Sequence, residues 1–309
     1  MNPISRVAII GECMVELKKV GDTITQGFGG DTLNTAVYLS RLTHQQGITT
    51  SYLTGLGQDP FSADMLSAWQ TEGLDTSMVY PSSDKLPGIY AIQTRDDGER
   101  SFYYWRNDSA AKYWLREQDP QHLLRDLCQH QMVYLSGISL AILPDDGRRT
   151  LFELLTAYRQ QGGMIAFDNN YRPALWSSAE HARACYAEML ALTDIAFLTF
   201  DDEVMLYGDE QEDQAIARTQ AFGVKEIVVK RGGEDCLVIS GQLSIAVTPP
   251  PVANIIDTTA AGDSFSAGYL AKRLTGGSEQ DAALAGHIVA GRVIQHRGAI
   301  IPKDAMPEI

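Results

Sequence analysis

Cysteine is scarce in this chain, and its few copies form no motif. Four cysteines occur among 309 residues, no two of them form a C-x-x-C pair, and they stand at Cys13, Cys128, Cys185 and Cys236. Such scatter disfavours a disulfide framework or a cysteine metal site and favours reduced thiols. The six histidines show no metal-ligand spacing either, so the sequence predicts no metal site built from them.

Long hydrophobic runs are also missing. No apolar run is long enough to cross a bilayer, and the apolar stretch 7–10 is too short for the core of a secretory signal. The net charge is −14, which disfavours binding to nucleic acid or to an anionic membrane. We therefore expect a cytoplasmic protein with neither partner. An anionic substrate would have to be met by locally placed arginines.

The common nucleotide-binding loops are absent as well. No G-x-G-x-x-G follows the first predicted strand, and no G-x-x-x-x-G-K-[ST] occurs anywhere. Dinucleotide-binding and Walker-type sites are therefore disfavoured, and with them a nicotinamide oxidoreductase.

What the chain does contain is an alternation of strand and helix patterns. Buried-strand patterns occur at 132–135, 164–168, 195–199 and 226–230, with helical patterns between them near 147–161, 178–191 and 211–222. This order predicts an α/β fold with a parallel sheet covered on both faces. Segments 12–28 and 87–106 instead have hairpin patterns, the second with a turn at Asp97–Gly98, and predict a small separate sheet.

The stretch 257–265 has the features of an anion site. Its small residues lead into a helix, whose first N–H groups are unpaired and attract negative charge. Gly262 allows a phosphate to approach the backbone closely, and Asp263 stands at the mouth. A carboxylate there suits removal of a proton from a hydroxyl that attacks a phosphoryl group. An ordinary N-cap aspartate explains the same pattern.

Other candidates follow predicted strands, where ligands bind in open α/β sheets. Arg172 can meet a carboxylate or phosphate bidentately, Lys230 precedes the glycine-rich turn 231–235, and the aromatic run 103–105 leads to Arg106. Aromatic rings suit the apolar faces of a sugar, and Arg106 suits an acid group. The alternatives are a surface arginine, a plain hairpin turn, and a hairpin packed on the core or on a dimer mate.

Two motifs resemble those of the ribokinase-like (carbohydrate kinase PfkB) family. Residues 257–263, Asp-Thr-Thr-Ala-Ala-Gly-Asp, resemble the family signature D-T-x-G-A-G-D, with Ala260 where glycine is usual. Residues 29–34, Gly-Gly-Asp-Thr-Leu-Asn, resemble the sugar-binding G-G-x-x-x-N segment, and Asp31 is interpreted as a helix cap. The resemblance implies a three-layer α/β/α sandwich with a mostly parallel central sheet. It also implies one catalytic domain over 1–309, with a β-sheet lid formed by 12–28 and 86–107.

Within the family, the chain most resembles kinases that phosphorylate the C6 hydroxyl of a 2-keto-3-deoxy sugar acid. The resemblance implies ATP and Mg²⁺ as cofactors and Asp263 as the base, aided by the N–H groups of residues 261–263. The implied sugar-acid site comprises Gly30, Asn34, Tyr90, Tyr104, Arg106, Arg172 and Asp263. The implied ATP site comprises Asn170, Arg172, Thr199, Lys230, Gly232, Gly233, Asp235, Ala260, Ala261 and Gly262. A fructokinase, a ribokinase and a non-catalytic sensor stay open as alternatives.

The chain departs from the family pattern at two further places. Glu12 stands near the position where most relatives use an aspartate to bind sugar hydroxyls, which implies a different sugar. The N-x-x-E segment, which the family uses to place Mg²⁺ and phosphate, is Phe-Asp-Asp-Glu at 200–203, so only Glu203 carries over. The exposed edges and aromatic residues expected of the lid also suggest a homodimer that pairs lid to lid.

Overall fold

The structure is a computed structural model that describes residues 4–20, 22–94 and 100–309. Residue 21 and residues 95–99, which include the predicted turn at Asp97–Gly98, lie outside the described residues. The strands are β1 (Arg6–Ile10), β2 (Met14–Val20), β3 (Thr23–Gly29), β4 (Thr49–Leu56), β5 (Val79–Pro81), β6 (Ile89–Thr94), β7 (Arg100–Trp105), β8 (Met132–Ser136), β9 (Met164–Asp168), β10 (Ile195–Thr199), β11 (Glu226–Lys230), β12 (Cys236–Ser240) and β13 (Leu243–Val247).

The helices cover both faces of a large sheet, as the alternation of patterns predicts. They are α1 (Asp31–Thr43), α2 (Pro60–Thr71), α3 (Pro120–Leu127), α4 (Gly137–Ala141), α5 (Asp145–Gln160), α6 (Ala179–Leu192), α7 (Phe200–Tyr207), α8 (Glu212–Ala221), α9 (Ala261–Leu274) and α10 (Glu279–Val293). The helices predicted near 147–161, 178–191 and 211–222 correspond to α5, α6 and α8, whose ends differ from the predicted ones by one or two residues.

The large sheet has the order β13-β12-β11-β10-β9-β8-β1-β4-β5. The strands from β11 to β5 are parallel, and β12 and β13 add antiparallel strands at one end. Alternate residues of β1 enter different cores: Ala8 and Ile10 join one apolar cluster, and Val7 and Ile9 join the other. Two buried faces on one sheet produce the three layers, so the predicted fold class is confirmed.

A second sheet has four strands in the order β3-β2-β6-β7. It confirms the small separate sheet predicted from segments 12–28 and 87–106. Its two middle strands, β2 and β6, pair in parallel, whereas each edge strand pairs with its neighbour as an antiparallel hairpin. This small sheet lies over the carboxyl ends of the parallel strands and shapes the cleft described below.

Helices α9 and α10 pack closely because two glycines leave space between them. A Cβ on Gly268 would lie 2.9 Å from the carbonyl oxygen of Ala285, and a Cβ on Gly286 would lie 2.9 Å from that of Phe265. The pair places the start of α9 beside α1 and the carboxyl ends of the strands. Among the described residues, no helix combines the length and apolarity that a bilayer crossing requires.

Candidate active site

A cavity of about 570 Å³ opens between the small sheet and the carboxyl ends of the parallel strands. Most of the predicted site residues line it, although they come from distant parts of the chain. They are Gly30, Asn34, Tyr90, Tyr104, Arg106, Asn170, Arg172, Thr199, Lys230, Ala260, Ala261, Gly262 and Asp263. Gly232, Gly233 and Asp235 lie in the turn between β11 and β12, outside the residues that line the cavity, and their role in ATP binding stays a prediction.

The first turn of α9 presents two backbone donors to this cavity. Ala260 precedes the helix in the left-handed region, with φ 61° and ψ 17°, which explains why glycine is the usual residue there. The N–H of Ala261 donates to the carbonyl of Thr258 at 3.2 Å. The N–H groups of Gly262 and Asp263 belong to the first turn of the helix, where backbone donors have no partner within the helix itself. Of the three N–H groups expected from the sequence, that of Ala261 already donates to Thr258, and the role of all three in binding phosphate stays a prediction.

Asp263 has a perturbed carboxyl group at the wall of the cavity. Burial is the largest cause that raises its pKa, and the neighbouring carboxylate of Asp31 adds to it, so the pKa reaches about 7. Asn34 Nδ2 donates to Asp263 Oδ2 at 2.8 Å and acts in the opposite direction, as does the ammonium of Lys230. A carboxylate that titrates near neutral pH is suited to take a proton from a hydroxyl.

Asp31 is a site residue that the sequence reasoning missed. It was interpreted as a helix cap, but Gly30 is the residue before α1, and Asp31 makes no capping bond. Its Oδ2 accepts from Asn170 Nδ2 at 2.6 Å, and Asn170 has an unusual positive φ of 29°. The hydrogen bond joins the start of α1 to the loop after β9. The position of Asp31 directly after Gly29 and Gly30 is the sequence signal that could have identified this residue as part of the site.

Asp168 and Lys230 form a buried pair beside the anion site. Lys230 Nζ donates to Asp168 Oδ2 at 2.7 Å, and Ser266 Oγ donates to the same oxygen at 2.9 Å. A Cβ on Gly262 would lie 3.5 Å from Lys230 Nζ, so the ammonium is close to the first turn of α9. The arrangement holds one positive charge where a phosphate would sit. The sequence reasoning proposed Lys230 but did not identify Asp168.

The opposite wall of the cavity is aromatic and contains Arg106. Tyr90 and Tyr104, on neighbouring strands, stack with ring centroids 5.9 Å apart, and the Arg106 guanidinium lies 6.0 Å from the Tyr104 ring centre. Arg106 forms an ion pair with Glu12. Tyr103 and Trp105 alternate with the residues that line the cavity and are exposed, so they are on the other face of the strand.

Arg172 and the acidic segment after β10 complete the site. Arg172 Nη1 donates to the carbonyl oxygen of Tyr171 at 2.7 Å and to Asp202 Oδ1 at 3.3 Å, and the side chain is 51 % exposed. Glu203 is buried outside the cavity lining, where it accepts from Asn169 Nδ2 at 2.8 Å and pairs with Arg218 at 2.6 Å. Burial raises the pKa of Glu203. Its neighbour Asp202, which the sequence reasoning did not propose, lines the cavity instead.

Known proteins resemble the chain along nearly its whole length. Residues 4–306 match the pfkB family carbohydrate kinases. The 2-dehydro-3-deoxygluconokinase of Dickeya dadantii (strain 3937) is 54% identical over 304 residues, 97% of this chain and 98% of the relative. The enzyme of the same name from Escherichia coli (strain K12) is 52% identical over 305 residues, 98% of this chain and 99% of the relative.

A solved structure, the fructokinase with bound ATP from Xylella fastidiosa, superposes with a TM-score of 0.83. The match covers 98% of this chain and 95% of that one at 20% sequence identity. The architecture is therefore shared with a known kinase even where the sequence has diverged.

Proposed function

Because the chain belongs to the pfkB family of carbohydrate kinases, we propose that it transfers the γ-phosphoryl group of ATP to the C6 hydroxyl of 2-keto-3-deoxy-D-gluconate. The product is 2-keto-3-deoxy-6-phosphogluconate, and the enzyme is a sugar-acid kinase. The observation that carries the proposal is Asp263, which stands between Asn34 of the G-G-x-x-x-N segment and the anion site of α9. Two relatives that share more than half of their residues with the chain are named for this acid.

The choice of a sugar acid is supported by the cations in the cavity. Arg106 and Arg172 reach the cavity from the small sheet and from the loop after β9, and the chain as a whole has a net charge of −14. A guanidinium offers paired donors that match a carboxylate. We assign the acid to the pocket of Gly30, Asn34, Tyr90, Tyr104, Arg106 and Arg172. The tyrosine rings cover the apolar faces of the carbon chain.

Proton transfer is assigned to Asp263. Its ionised carboxylate accepts the proton of the C6 hydroxyl while that oxygen forms a bond to the γ-phosphorus of ATP. The bond between the γ-phosphorus and the bridging oxygen breaks, and ADP leaves with that electron pair. The N–H groups of Gly262 and Asp263, with the ammonium of Lys230, stabilise the negative charge on the transferring group. The proposed ATP site consists of Asn170, Thr199, Lys230 and the start of α9. The turn at 232–235 extends this site outside the cavity.

The carboxylates in the cavity fit a magnesium ion. Among the described residues no cluster of three or more His, Cys, Asp or Glu side chains could hold a metal. Asp31 and Asp202 nevertheless line the cavity, and Mg²⁺ accepts one or two carboxylates together with phosphate oxygens and water. Either carboxylate would hold the ion together with phosphate oxygens of the nucleotide. When bound, Mg²⁺ offsets the negative charge of the β- and γ-phosphates.

The chain is best described as one catalytic domain over 1–309, with the small sheet as a lid over the sugar acid. The edge strands β3 and β7 and the exposed Tyr103 and Trp105 further support a homodimer that pairs lid to lid. Sedimentation at micromolar concentration tests the dimer. A Trp105→Lys variant should shift a wild-type dimer toward monomer, whereas a monomeric wild-type protein would remove the proposal.

A coupled assay of ADP release with Mg·ATP tests the function. We would compare 2-keto-3-deoxy-D-gluconate with fructose, ribose and gluconate, and use Asp263→Asn as the blank. Strong turnover only with the keto-deoxy acid is expected. Turnover with a neutral sugar instead would keep the kinase but remove the acid-binding role of the two arginines. No turnover with any acceptor would favour a sensor.

A further inference from the structure

Glu12 lies where the two sheets are joined. The chain passes between the large sheet and the small sheet four times, at residues 11–13, 30, 82–88 and 106–109. The Glu12 carboxylate accepts hydrogen bonds from Arg106 Nη2 and from Ser109 Oγ, both in the last connection. A Cβ on Gly88 would lie 3.0 Å from Glu12 Oε1, and a Cβ on Gly30 would lie 2.2 Å from the Glu12 carbonyl oxygen. Glu12 thus belongs to the first connection and contacts the other three.

Both oxygens of this carboxylate are already used by the protein. Oε2 pairs with the guanidinium and Oε1 with the hydroxyl, and only 1 % of the Glu12 side chain is exposed. A buried carboxylate is tolerated because a cation and a hydrogen-bond donor compensate its charge. Glu12 lines the cavity, but each of its oxygens already accepts a hydrogen bond from the protein and almost none of the side chain is exposed to a ligand. The interpretation that glutamate at position 12 implies a different sugar from that of most relatives stays a prediction.

The guanidinium of Arg106 keeps donors beyond the one that Glu12 occupies. It carries five N–H donors in a rigid plane, and Nη2 alone donates to Glu12. Arg106 Nε is buried and finds no acceptor among the residues that the structure describes. Arg106 lines the cavity beside the Tyr104 ring. The ion pair therefore fixes the plane of the guanidinium and leaves donors for a ligand carboxylate.

We propose that Glu12 is a positioning residue, which orients the Arg106 guanidinium toward the carboxylate of the sugar acid and is itself held by Ser109. The inference rests on the proposed function, since it assumes that Arg106 meets that carboxylate. Glu12 acts only through Arg106. It therefore determines preference for an acid over a neutral sugar, and it does not take part in phosphoryl transfer.

Glu12→Gln and Ser109→Ala test the proposal by steady-state kinetics. Glu12→Gln should raise the KM for 2-keto-3-deoxy-D-gluconate about tenfold, the scale of a lost charged hydrogen bond, while kcat and the KM for Mg·ATP stay within about twofold. Ser109→Ala should raise the same KM by a smaller factor. Inhibition by fructose, a neutral competitor, should not change in either variant.

Glu226→Gln is the matched control. Glu226 is also a buried glutamate paired with an arginine, Arg273. It begins β11 and so lies at the amino-terminal ends of the parallel strands, whereas the cavity lies at their carboxyl ends. This control should lower thermal stability without changing the KM for the acid. Combining Glu12→Gln with Arg106→Lys should raise the KM no further than Arg106→Lys alone, because Glu12 acts through that arginine.

Each contrary result has a distinct meaning. An unchanged KM for the acid in Glu12→Gln, with wild-type turnover intact, overturns the inference and leaves the proposed function standing. Weaker inhibition by fructose in the same variant would mean that Glu12 contacts sugar hydroxyls, and this result also overturns the inference. Absence of wild-type turnover with the acid overturns the proposed function and the inference together. If Glu12→Gln does not fold, Ser109→Ala tests the proposal instead. The KM for the sugar acid is then measured for Ser109→Ala alone and for Ser109→Ala combined with Arg106→Lys.

Discussion

Asn34 donates a hydrogen bond of 2.8 Å from Nδ2 to Oδ2 of Asp263, which lies 229 residues further along the chain. The bond joins the G-G-x-x-x-N segment at the start of α1 to the first turn of α9. An acceptor hydroxyl bound at one motif would therefore lie beside the carboxylate of the other. The predictions that follow depend on this junction and on the groups that surround it.

Replacement of Asp263 by asparagine should abolish turnover while nucleotide binding is kept. An amide cannot accept the proton of the C6 hydroxyl, and a general base contributes a factor of about 10² to 10⁴ in rate. The N–H groups of residues 262 and 263 remain in place for phosphate. Single-turnover kinetics and calorimetric titration with ATP measure the two effects. Near-normal turnover would remove Asp263 as the base.

The pH dependence of kcat/KM for the sugar acid should show an acidic limb near pH 7. Asp263 must be ionised to act as a base, and burial with the Asp31 charge raises its pKa to about 7, so activity falls as pH drops through that value. Asp31→Asn removes a negative neighbour and should move the limb to lower pH. Asn34→Ala removes a donor to the ionised form and should move it to higher pH. Shifts in the same direction would contradict the assignment.

The free energy of unfolding should depend on the ionisation of Asp263 with the opposite sign from an ordinary salt-bridged aspartate, which loses stability as pH falls. Its folded-state pKa is raised from 3.8 to about 7. The protonated group therefore contributes stability that is fully present below about pH 4 and is lost as pH rises through about 7. Asp263→Asn cannot ionise, so its melting temperature relative to wild type should be higher at pH 8 than at pH 5. A pH-independent difference between the two proteins would contradict the raised pKa.

Arg106→Lys should raise the KM for the sugar acid much more than the KM for ATP. Lysine keeps a positive charge next to Glu12 but loses the planar, bidentate donors that match a carboxylate. We choose lysine because Arg106→Ala would leave the buried Glu12 charge unpaired, at a cost of about 3–5 kcal/mol in stability. Steady-state kinetics and thermal unfolding of both variants separate binding from folding. Equal KM changes for both substrates would argue against an acid-binding role.

The left-handed backbone at Ala260 leads to a stability prediction. Glycine relieves the strain of φ 61°, but it gives the unfolded chain more freedom, so Ala260→Gly should change the free energy of unfolding by less than about 1 kcal/mol. Valine is strained further in this region, so Ala260→Val should lower stability and also kcat, because Gly262 and Asp263 follow directly. Urea unfolding and turnover measurements test both variants. Equal behaviour of the two would show that the left-handed turn is not required.

Local patterns in the sequence were sufficient for the architecture. The strands β8 to β11 are short, mostly apolar runs buried on both faces, and the helices between them have apolar residues at helical spacing. Both features depend only on neighbours in the chain. The start of α9 was also predictable, because small residues before an apolar helical run are a local feature.

Only the tertiary structure determined which distant residues form pairs. Asp31 meets Asn170 across 139 residues, Glu12 meets Arg106 across 94, and Lys230 meets Asp168 across 62. Each of these side chains looks like an ordinary cap, turn or surface charge in its own segment. Their roles arise because the parallel strands end at one edge and the small sheet closes over that edge. The sequence by itself determined the elements and the two motifs, since those depend on short-range periodicity. The structure determined which charges share the cavity, because that depends on how the elements pack.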